Sequence, residues 1–352
     1  MPLRFEPKHS DAAGKLRRRG DLVVGLVNNM PDAAIEATER QFAELIREAA
    51  PDVTVGLKLF SIPQVPRAAH VRAELAGRYR NIAELWDAPV DALIVTGTEP
   101  RAEVLQDEPY WPVFRQLVAW ARDNTISTIW SCLAAHAAVL EADGIERRLL
   151  PDKLFGVFDC DVAAAHSLTS AVRSPVSAPH SRLNDLPESE LIAGGYDILT
   201  RSAATGADAF VKEEGRSLFV FFQGHPEYEA DTLAREYRRD VGRFLRGERN
   251  HFPAAPHGYF NDAAQKLVDA FLARAIADPH DDPVADFPMT ALEGKLDHTW
   301  RRSSVGVFRN WMTYLKHRKV EQRTRLSPLP RSRRNAPLIG NVSATPKRSA
   351  IR

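Results

Sequence analysis

Short apolar runs alternate with amphipathic segments through the first half of the chain, and this alternation limits the fold more than any other feature. Strands that alternate with helices pair in parallel through right-handed crossovers, and a ligand crevice then lies beyond the carboxyl ends of the strands. The sequence therefore predicts an α/β fold with a parallel sheet flanked by helices. Strands are predicted at residues 21–27, 54–60, 90–95 and 125–130, and helices at residues 33–49, with Asp32 as N-cap, and 110–124.

The second half of the chain has a different pattern. Residues 149–187 predict antiparallel strands and turns, and residues 217–222 predict one more buried strand. Three helical segments follow, at residues 230–247, 262–276 and 305–318. We expect three parts: a flexible basic segment at 1–20, one α/β domain with a C-terminal helical extension at 21–318, and a basic, disordered tail at 319–352.

Composition excludes several classes of function. The chain has 47 Lys and Arg against 46 Asp and Glu, and this net charge of +1 gives no bulk attraction to nucleic acid or to an acidic membrane. Two cysteines cannot form a disulfide framework, and no apolar run approaches the roughly 20 residues of a membrane span. No metal-ligand spacing and no phosphate-binding glycine loop is present. We expect a cytoplasmic protein with no metal and no bound cofactor.

Cys132 marks the most informative turn. The sequence STIW before it has the pattern of a strand and is separated from Cys132 by one serine. The sequence LAAHAAVL after it is rich in alanine and has the pattern of a helix. A cysteine at such an elbow is exposed at the end of the sheet, and the helix N-terminus stabilises its thiolate. The backbone N–H of Leu133, with a second donor from the loop at Gly97, predicts an oxyanion hole. The alternative is that Cys132 is a small buried hydrophobic residue.

His225 and Glu227 supply what a thiol nucleophile needs. They follow another buried strand in the sequence GHPE, where the histidine can serve as the base and the carboxylate can orient it. His136, one helical turn after Cys132, is the competing base, and we expect it to be buried against the sheet. Cys160 lies in a strand pattern and is predicted to be structural.

A series of motifs between residues 21 and 318 resembles the homoserine O-succinyltransferase (MetA-type) family. The resemblance implies a flavodoxin-like fold, similar to that of class I glutamine amidotransferases. It also implies the transfer of an acyl group from acyl-CoA to the hydroxyl of homoserine, a step of methionine biosynthesis. The motifs are Asn29-Met30-Pro31-Asp32, Val95-Thr96-Gly97, Cys132-x-Ala134, Lys153-Leu154-Phe155-Gly156-Val157-Phe158, Pro179-His180-Ser181-Arg182 and Gly224-His225-Pro226-Glu227-Tyr228.

The resemblance also assigns roles. It implies that Cys132 is acylated, that His225 is the general base and that Glu227 orients it, in a ping-pong reaction with succinyl-CoA or acetyl-CoA as co-substrate. Arg239 matches the position that contacts the amino-acid carboxylate, and Lys153 and Ser181 match substrate-contacting positions. The resemblance further implies a homodimer, with small molecules rather than nucleic acid or membrane as partners.

Two departures leave the substrate open. Leu133 and His136 stand where the family usually has Trp and Gln. Arg101 occupies a position that is typically Gly in succinyl-CoA users and Glu in acetyl-CoA users, and its guanidinium favours the carboxylate of a succinyl group. Serine or another amino alcohol stays open as the acceptor. Two other classes also stay open: a glutamine amidotransferase-like hydrolase and a non-catalytic binding protein.

Overall fold

A mixed β-sheet forms the centre of the computed structural model, which describes residues 3–6, 8, 22–277 and 284–326, with side chains to residue 324. The strands are β1 (Leu3–Phe5), β2 (Leu22–Val27), β3 (Val55–Ser61), β4 (Arg80–Asn81), β5 (Ala92–Thr96), β6 (Ser127–Ser131), β7 (Arg148–Val162), β8 (Val176–Asp185), β9 (Asp197–Ser202), β10 (Gly206–Glu214) and β11 (Ser217–Phe222).

Helices cover both faces of this sheet. They are α1 (Ile35–Ala49), α2 (Ala69–Arg78), α3 (Trp111–Asn124), α4 (Leu133–Asp143), α5 (Glu188–Ala193), α6 (Thr232–Leu245), α7 (Asp262–Ala277), α8 (Met289–Leu292) and α9 (Arg301–Leu326). The predicted α/β architecture with helices on a largely parallel sheet is confirmed. No helix among the described residues is long and apolar enough to cross a bilayer.

The strand order brings the predicted site residues to one edge of the sheet. The order is β1-β3-β2-β5-β6-β11-β10-β9-β7-β8, with β4 beside β3. From β1 to β11 neighbouring strands are parallel, and from β11 to β8 they are antiparallel. Strands β5, β6 and β11 are adjacent, so their carboxyl ends converge. Gly97, Cys132 and Gly224 follow these ends directly or within two residues.

Two apolar layers hold the sheet. On one face Leu26, Phe42, Phe308 and Trp311 belong to a layer that includes α1 and α9. On the other face Trp130 packs with residues of α3 and α4. A third cluster of buried aromatic residues joins α6 and α7 near the site, with Tyr237, Phe271 and Trp300 among them.

The structure differs from the sequence prediction in three places. Asp32 does not cap α1, whose N-cap is Ala34; its carboxylate instead accepts a hydrogen bond from the backbone N–H of Ala68 at 2.9 Å. Residues 3–5, which the sequence assigned to a flexible segment, pair in parallel with β3. Helix α9 continues to Leu326, into the predicted tail. The rest of the tail, residues 327–352, and most of segment 1–20 lie outside the described residues.

Candidate active site

Cys132 lies at a sharp turn between β6 and α4. Its φ of 54° and ψ of −117° fall outside the regions that residues other than glycine readily adopt, and its backbone N–H donates to the carbonyl of Phe222 at 2.7 Å. The hydrogen bond ties the turn to the end of β11, the neighbouring strand. Cys132 is partly exposed and forms no disulfide. The predicted elbow is therefore present, and the cysteine on it is partly exposed.

Gly97 packs directly against the first turn of α4. A Cβ atom at this position would lie 2.6 Å from Leu133 Cβ and 2.9 Å from the Leu133 nitrogen. Leu133 is the first residue of the helix, so its N–H has no acceptor within α4. The structure thus brings together the two backbone segments predicted to supply the oxyanion hole.

His225 meets Cys132 from the end of β11. Its Nδ1 lies 2.9 Å from Glu227 Oε1, and its ring is within hydrogen-bonding reach of the Cys132 thiol. Burial disfavours the charged imidazole, but the Cys132 sulfur and the Glu227 carboxylate outweigh it and hold the pKa of His225 well above its ordinary value. The three residues form a Cys–His–Glu constellation of the kind that activates a thiol.

His136 is not available as a base. It is buried, and its Nε2 lies 2.8 Å from Gln223 Oε1. Because the Gln223 amide nitrogen donates to Asp185 and to the carbonyl of Ala207, its oxygen must accept from His136. Burial lowers the pKa of His136 to about 3. The structure therefore confirms that this histidine is buried, and its lowered pKa favours the neutral form.

The residues predicted to bind substrate, apart from Arg101, meet beside the triad. Lys153 Nζ lies 2.8 Å from Asp240 Oδ2, Arg239 Nε donates to Asp240 Oδ1 at 3.0 Å, and the Ser181 hydroxyl donates to Glu236. We call Lys153, Ser181, Glu236, Arg239 and Asp240 the cation cluster. Burial opposes ionisation of Asp240, but Lys153 and Arg239 outweigh it and lower the pKa of Asp240.

Tyr228 connects the cation cluster to the triad, a link that sequence reasoning missed. Its ring stacks on His225, with centroids 4.2 Å apart and planes 15° apart, and its hydroxyl donates to Glu236 Oε1. Glu236 was also missed, although it precedes Arg239 by three residues and Asp240 by four, which places all three on one helix face.

Arg101 does not join this arrangement. Its side chain is exposed, and its hydrogen bond is made by its backbone N–H, which donates to Glu108 Oε1. The N–H of Ala102 donates to the same oxygen at 2.8 Å. Glu108 therefore anchors the loop that carries Arg101, while the guanidinium itself points to no acceptor among the described residues.

Cys160 belongs to a separate buried group. Its sulfur, one His180 ring nitrogen and one Asp208 oxygen all lie within 4.8 Å of one another. Burial raises the pKa of the Cys160 thiol to about 12, and both His180 nitrogens face other groups, Arg182 Nε at 3.2 Å and Asp208 Oδ1 at 3.1 Å. A protonated thiol and an engaged imidazole do not suit a metal ion. The group is better explained as a hydrogen-bonded network behind the site.

Comparisons with known proteins provide a separate line of evidence. The profile of a family described as homoserine O-succinyltransferase matches residues 9–322. The homoserine O-succinyltransferase of Rhodopseudomonas palustris is 49% identical over 83% of this chain and 87% of its own length. That of Methylorubrum extorquens is 50% identical over 84% and 88%. A solved glutamine amidotransferase from Methylobacillus flagellatus covers 84% of this chain and 95% of its own, at 15% identity and a TM-score of 0.46, too low to support an argument about the site.

Proposed function

The chain belongs to the homoserine O-succinyltransferase family, and from this premise we propose that it transfers a succinyl group from succinyl-CoA to the hydroxyl of L-homoserine through a thioester on Cys132. The observation that carries the proposal is the partly exposed cysteine at a strained elbow, next to a histidine whose Nδ1 is held by Glu227. The family supplies the substrate class, and the geometry supplies the chemistry.

In the first half-reaction the Cys132 thiol gives its proton to His225, and the sulfur attacks the thioester carbonyl. The developing oxyanion accepts hydrogen bonds from the backbone N–H groups of Leu133 and Gly97. When the carbon–sulfur bond to CoA breaks, the CoA thiolate takes the proton from His225. The raised pKa of His225 supports the charged intermediate state, because the imidazolium is stable while a negative sulfur lies beside it.

In the second half-reaction His225 removes the proton of the acceptor hydroxyl, and the oxygen attacks the acyl carbon. The Cys132 thiolate leaves and recovers the proton from His225. Because the acyl group stays on Cys132 between the two half-reactions, CoA departs before the acceptor reacts, which is a ping-pong sequence. Tyr228, stacked on the imidazole and bonded to Glu236, holds the ring between the thiol and the cation cluster.

The charges of the cation cluster support an amino acid as the acceptor. Arg249 adds a third cation to Lys153 and Arg239, 3.6 Å from Asp240, against the two carboxylates of Glu236 and Asp240. The surplus positive charge suits the acceptor's carboxylate, and Glu236 suits its ammonium group. Arg239 is about half exposed, so its guanidinium remains open to a bidentate contact.

Intact-protein mass spectrometry tests the intermediate. We expect succinyl-CoA without acceptor to add one succinyl group to the wild-type protein and none to the Cys132→Ala variant. Cys160→Ala is the matched control, because it removes the other cysteine, which is buried and protonated, and it should still be labelled. Labelling of the Cys132→Ala variant, or no labelling of the wild type by any acyl-CoA, would contradict the mechanism.

Discharge of the labelled protein identifies the acceptor. L-homoserine should remove the adduct quickly and L-serine slowly, since the shorter side chain holds its hydroxyl one methylene away from the acyl carbon. Discharge by water alone at the same rate would favour a hydrolase, and release of ammonia from glutamine would favour an amidotransferase-like activity.

The homodimer and the cytoplasmic location stay predictions.

A further inference from the structure

Arg147 is a charged side chain that has no partner among the described residues and interacts electrostatically with Cys132. It lies between Gly144, the C-cap of α4, and the start of β7. The guanidinium is half buried and makes no hydrogen bond and no ion pair within the part of the chain that the structure describes. Burial lowers the pKa of Arg147, while Tyr110, Glu108 and Cys132 are close enough to oppose this. A partly desolvated cation thus lies within electrostatic range of Cys132.

Two side chains that interact electrostatically with this guanidinium carry unpartnered polar atoms. The Tyr110 hydroxyl and Glu108 Oε2 are buried and have no hydrogen-bond partner among the described residues. Buried polar groups are nearly always paired, so several unpaired ones together indicate that water or a ligand supplies the missing hydrogen bonds.

The chemistry of the group selects an anion. Arg147 donates in a planar fork, and the Tyr110 hydroxyl adds a donor. Glu108 already accepts two backbone N–H groups on its other oxygen, which offsets part of its negative charge. A succinyl group on Cys132 carries its own carboxylate only about 4 Å from the acyl carbon, from ordinary carbon–carbon bond lengths. An acetyl group would leave Arg147 unpaired.

We propose that Arg147, assisted by the Tyr110 hydroxyl, binds the terminal carboxylate of the acyl group carried by Cys132 and so selects a dicarboxylic acyl donor. This inference rests on the proposed function, because it assumes that Cys132 is acylated. It replaces the earlier hypothesis for Arg101, whose side chain is exposed and whose contact with Glu108 is made by its backbone.

The test measures the rate of Cys132 acylation by three donors. Succinyl-CoA carries the carboxylate, butyryl-CoA has the same four-carbon length without it, and acetyl-CoA is shorter. Arg147→Gln should slow succinyl transfer by about 30-fold or more and change butyryl and acetyl transfer by less than about threefold. Arg148→Gln is the matched control, because its exposed side chain pairs with Glu190 at the surface, and it should change none of the three rates.

The outcomes separate this inference from the proposed function. An equal loss with all three donors would assign Arg147 a structural role and overturn the inference. A selective loss in Arg101→Gln with no loss in Arg147→Gln would return the role to Arg101. Either result requires that the wild type be labelled at Cys132, so failure of labelling in the wild type overturns the proposed function instead. Rescue of succinyl transfer in Arg147→Lys, partial because the fork is lost, would support the charge contact.

Discussion

At Cys132 the backbone conformation itself is part of the site. A non-glycine residue with φ of 54° and ψ of −117° costs about 1–3 kcal/mol, and the surrounding structure must enforce it. Two contacts do so: the hydrogen bond from Cys132 to Phe222, and the close packing of Gly97 on Leu133. This conformation places Cys132 at the N-terminus of α4, the end of a helix that favours negative charge.

Glu227→Gln tests the electrostatics of the base. Loss of the carboxylate removes one of the negative groups that raise the pKa of His225, so the histidine should lose its proton at a lower pH. We expect kcat/KM to fall by about 10² to 10⁴-fold, as for the loss of an orienting carboxylate in related triads. Imidazole NMR titration and the pH profile of acylation measure the shift.

The control for this variant is Glu229→Gln. Glu229 is two residues away and pairs with Arg40 at the surface, so its loss should leave both the titration and the rate unchanged. An unaltered His225 titration in Glu227→Gln would show that the carboxylate does not govern the base.

At the scale of the element, α4 joins a partly exposed N-cap, Cys132, to a buried body. Ala134, Ala135, Ala137 and Ala138 are all buried, and these small side chains let the helix axis approach the sheet closely. Among the buried residues of this helix His136 is the polar one, and it is hydrogen-bonded to Gln223. The same helix therefore has Cys132 at its N-terminus and carries a buried histidine whose charged form burial disfavours.

His136 should make the fold sensitive to acid. Its folded pKa of about 3 lies below the ordinary value of 6.5, so the unfolded chain binds more protons between these values. Above pH 6.5 His136 does not lower the free energy of unfolding. As the pH falls below 6.5, the free energy of unfolding decreases by up to about 1.4 kcal/mol per pH unit. His136→Gln keeps a donor for Gln223 and should flatten this loss between pH 6 and 4.

Denaturant unfolding at several pH values measures the free energy of unfolding for this comparison. His70→Gln is the control, because His70 is exposed on α2 and should leave the pH slope of the wild type intact. The His136→Gln variant should also keep its acylation rate. A large loss of acylation at neutral pH would instead give His136 a part in the chemistry.

At the scale of the molecule, the C-terminal helix supports the catalytic edge from behind the sheet. In α9, Trp311 is buried and its Nε1 donates to Ser127 Oγ at 2.9 Å. Ser127 begins β6, the strand that ends just before Cys132, and its hydroxyl in turn donates to the carbonyl of Leu218 on β11. Residues more than 180 positions apart in sequence thus fix the two strands that carry the thiol and the base.

Trp311→Ala should therefore destabilise the whole fold, by about 3–5 kcal/mol for a large buried aromatic residue. Trp311→Phe keeps most of the apolar volume and should cost less, about 1 kcal/mol for the lost hydrogen bond plus a small packing term. Chemical denaturation gives both values. Val320→Ala, at an exposed position of the same helix, should stay within about 0.5 kcal/mol of wild type. Equal effects of Trp311→Ala and Val320→Ala would contradict this account of α9.

The sequence by itself determined the features that local patterns encode. Apolar runs placed β2, β5, β6 and β11, because burial on both faces demands unbroken hydrophobic stretches. The change from β-branched to alanine-rich residues placed the turn at Cys132. The parallel order then brought Gly97, Cys132 and His225 to one edge, since parallel strands carry their carboxyl ends to the same side.

Only the tertiary structure decided which side chains meet. The contacts of Lys153 with Asp240 and of Ser181 with Glu236 join residues 87 and 55 positions apart, and no local pattern reports such distances. Arg101 and Arg147 are indistinguishable as residue types, yet one is exposed and the other lies half buried near the thiol. The burial of a residue depends on the elements packed around it, and burial in turn sets how strongly its charge interacts with other charges. Both are decided only when the chain folds.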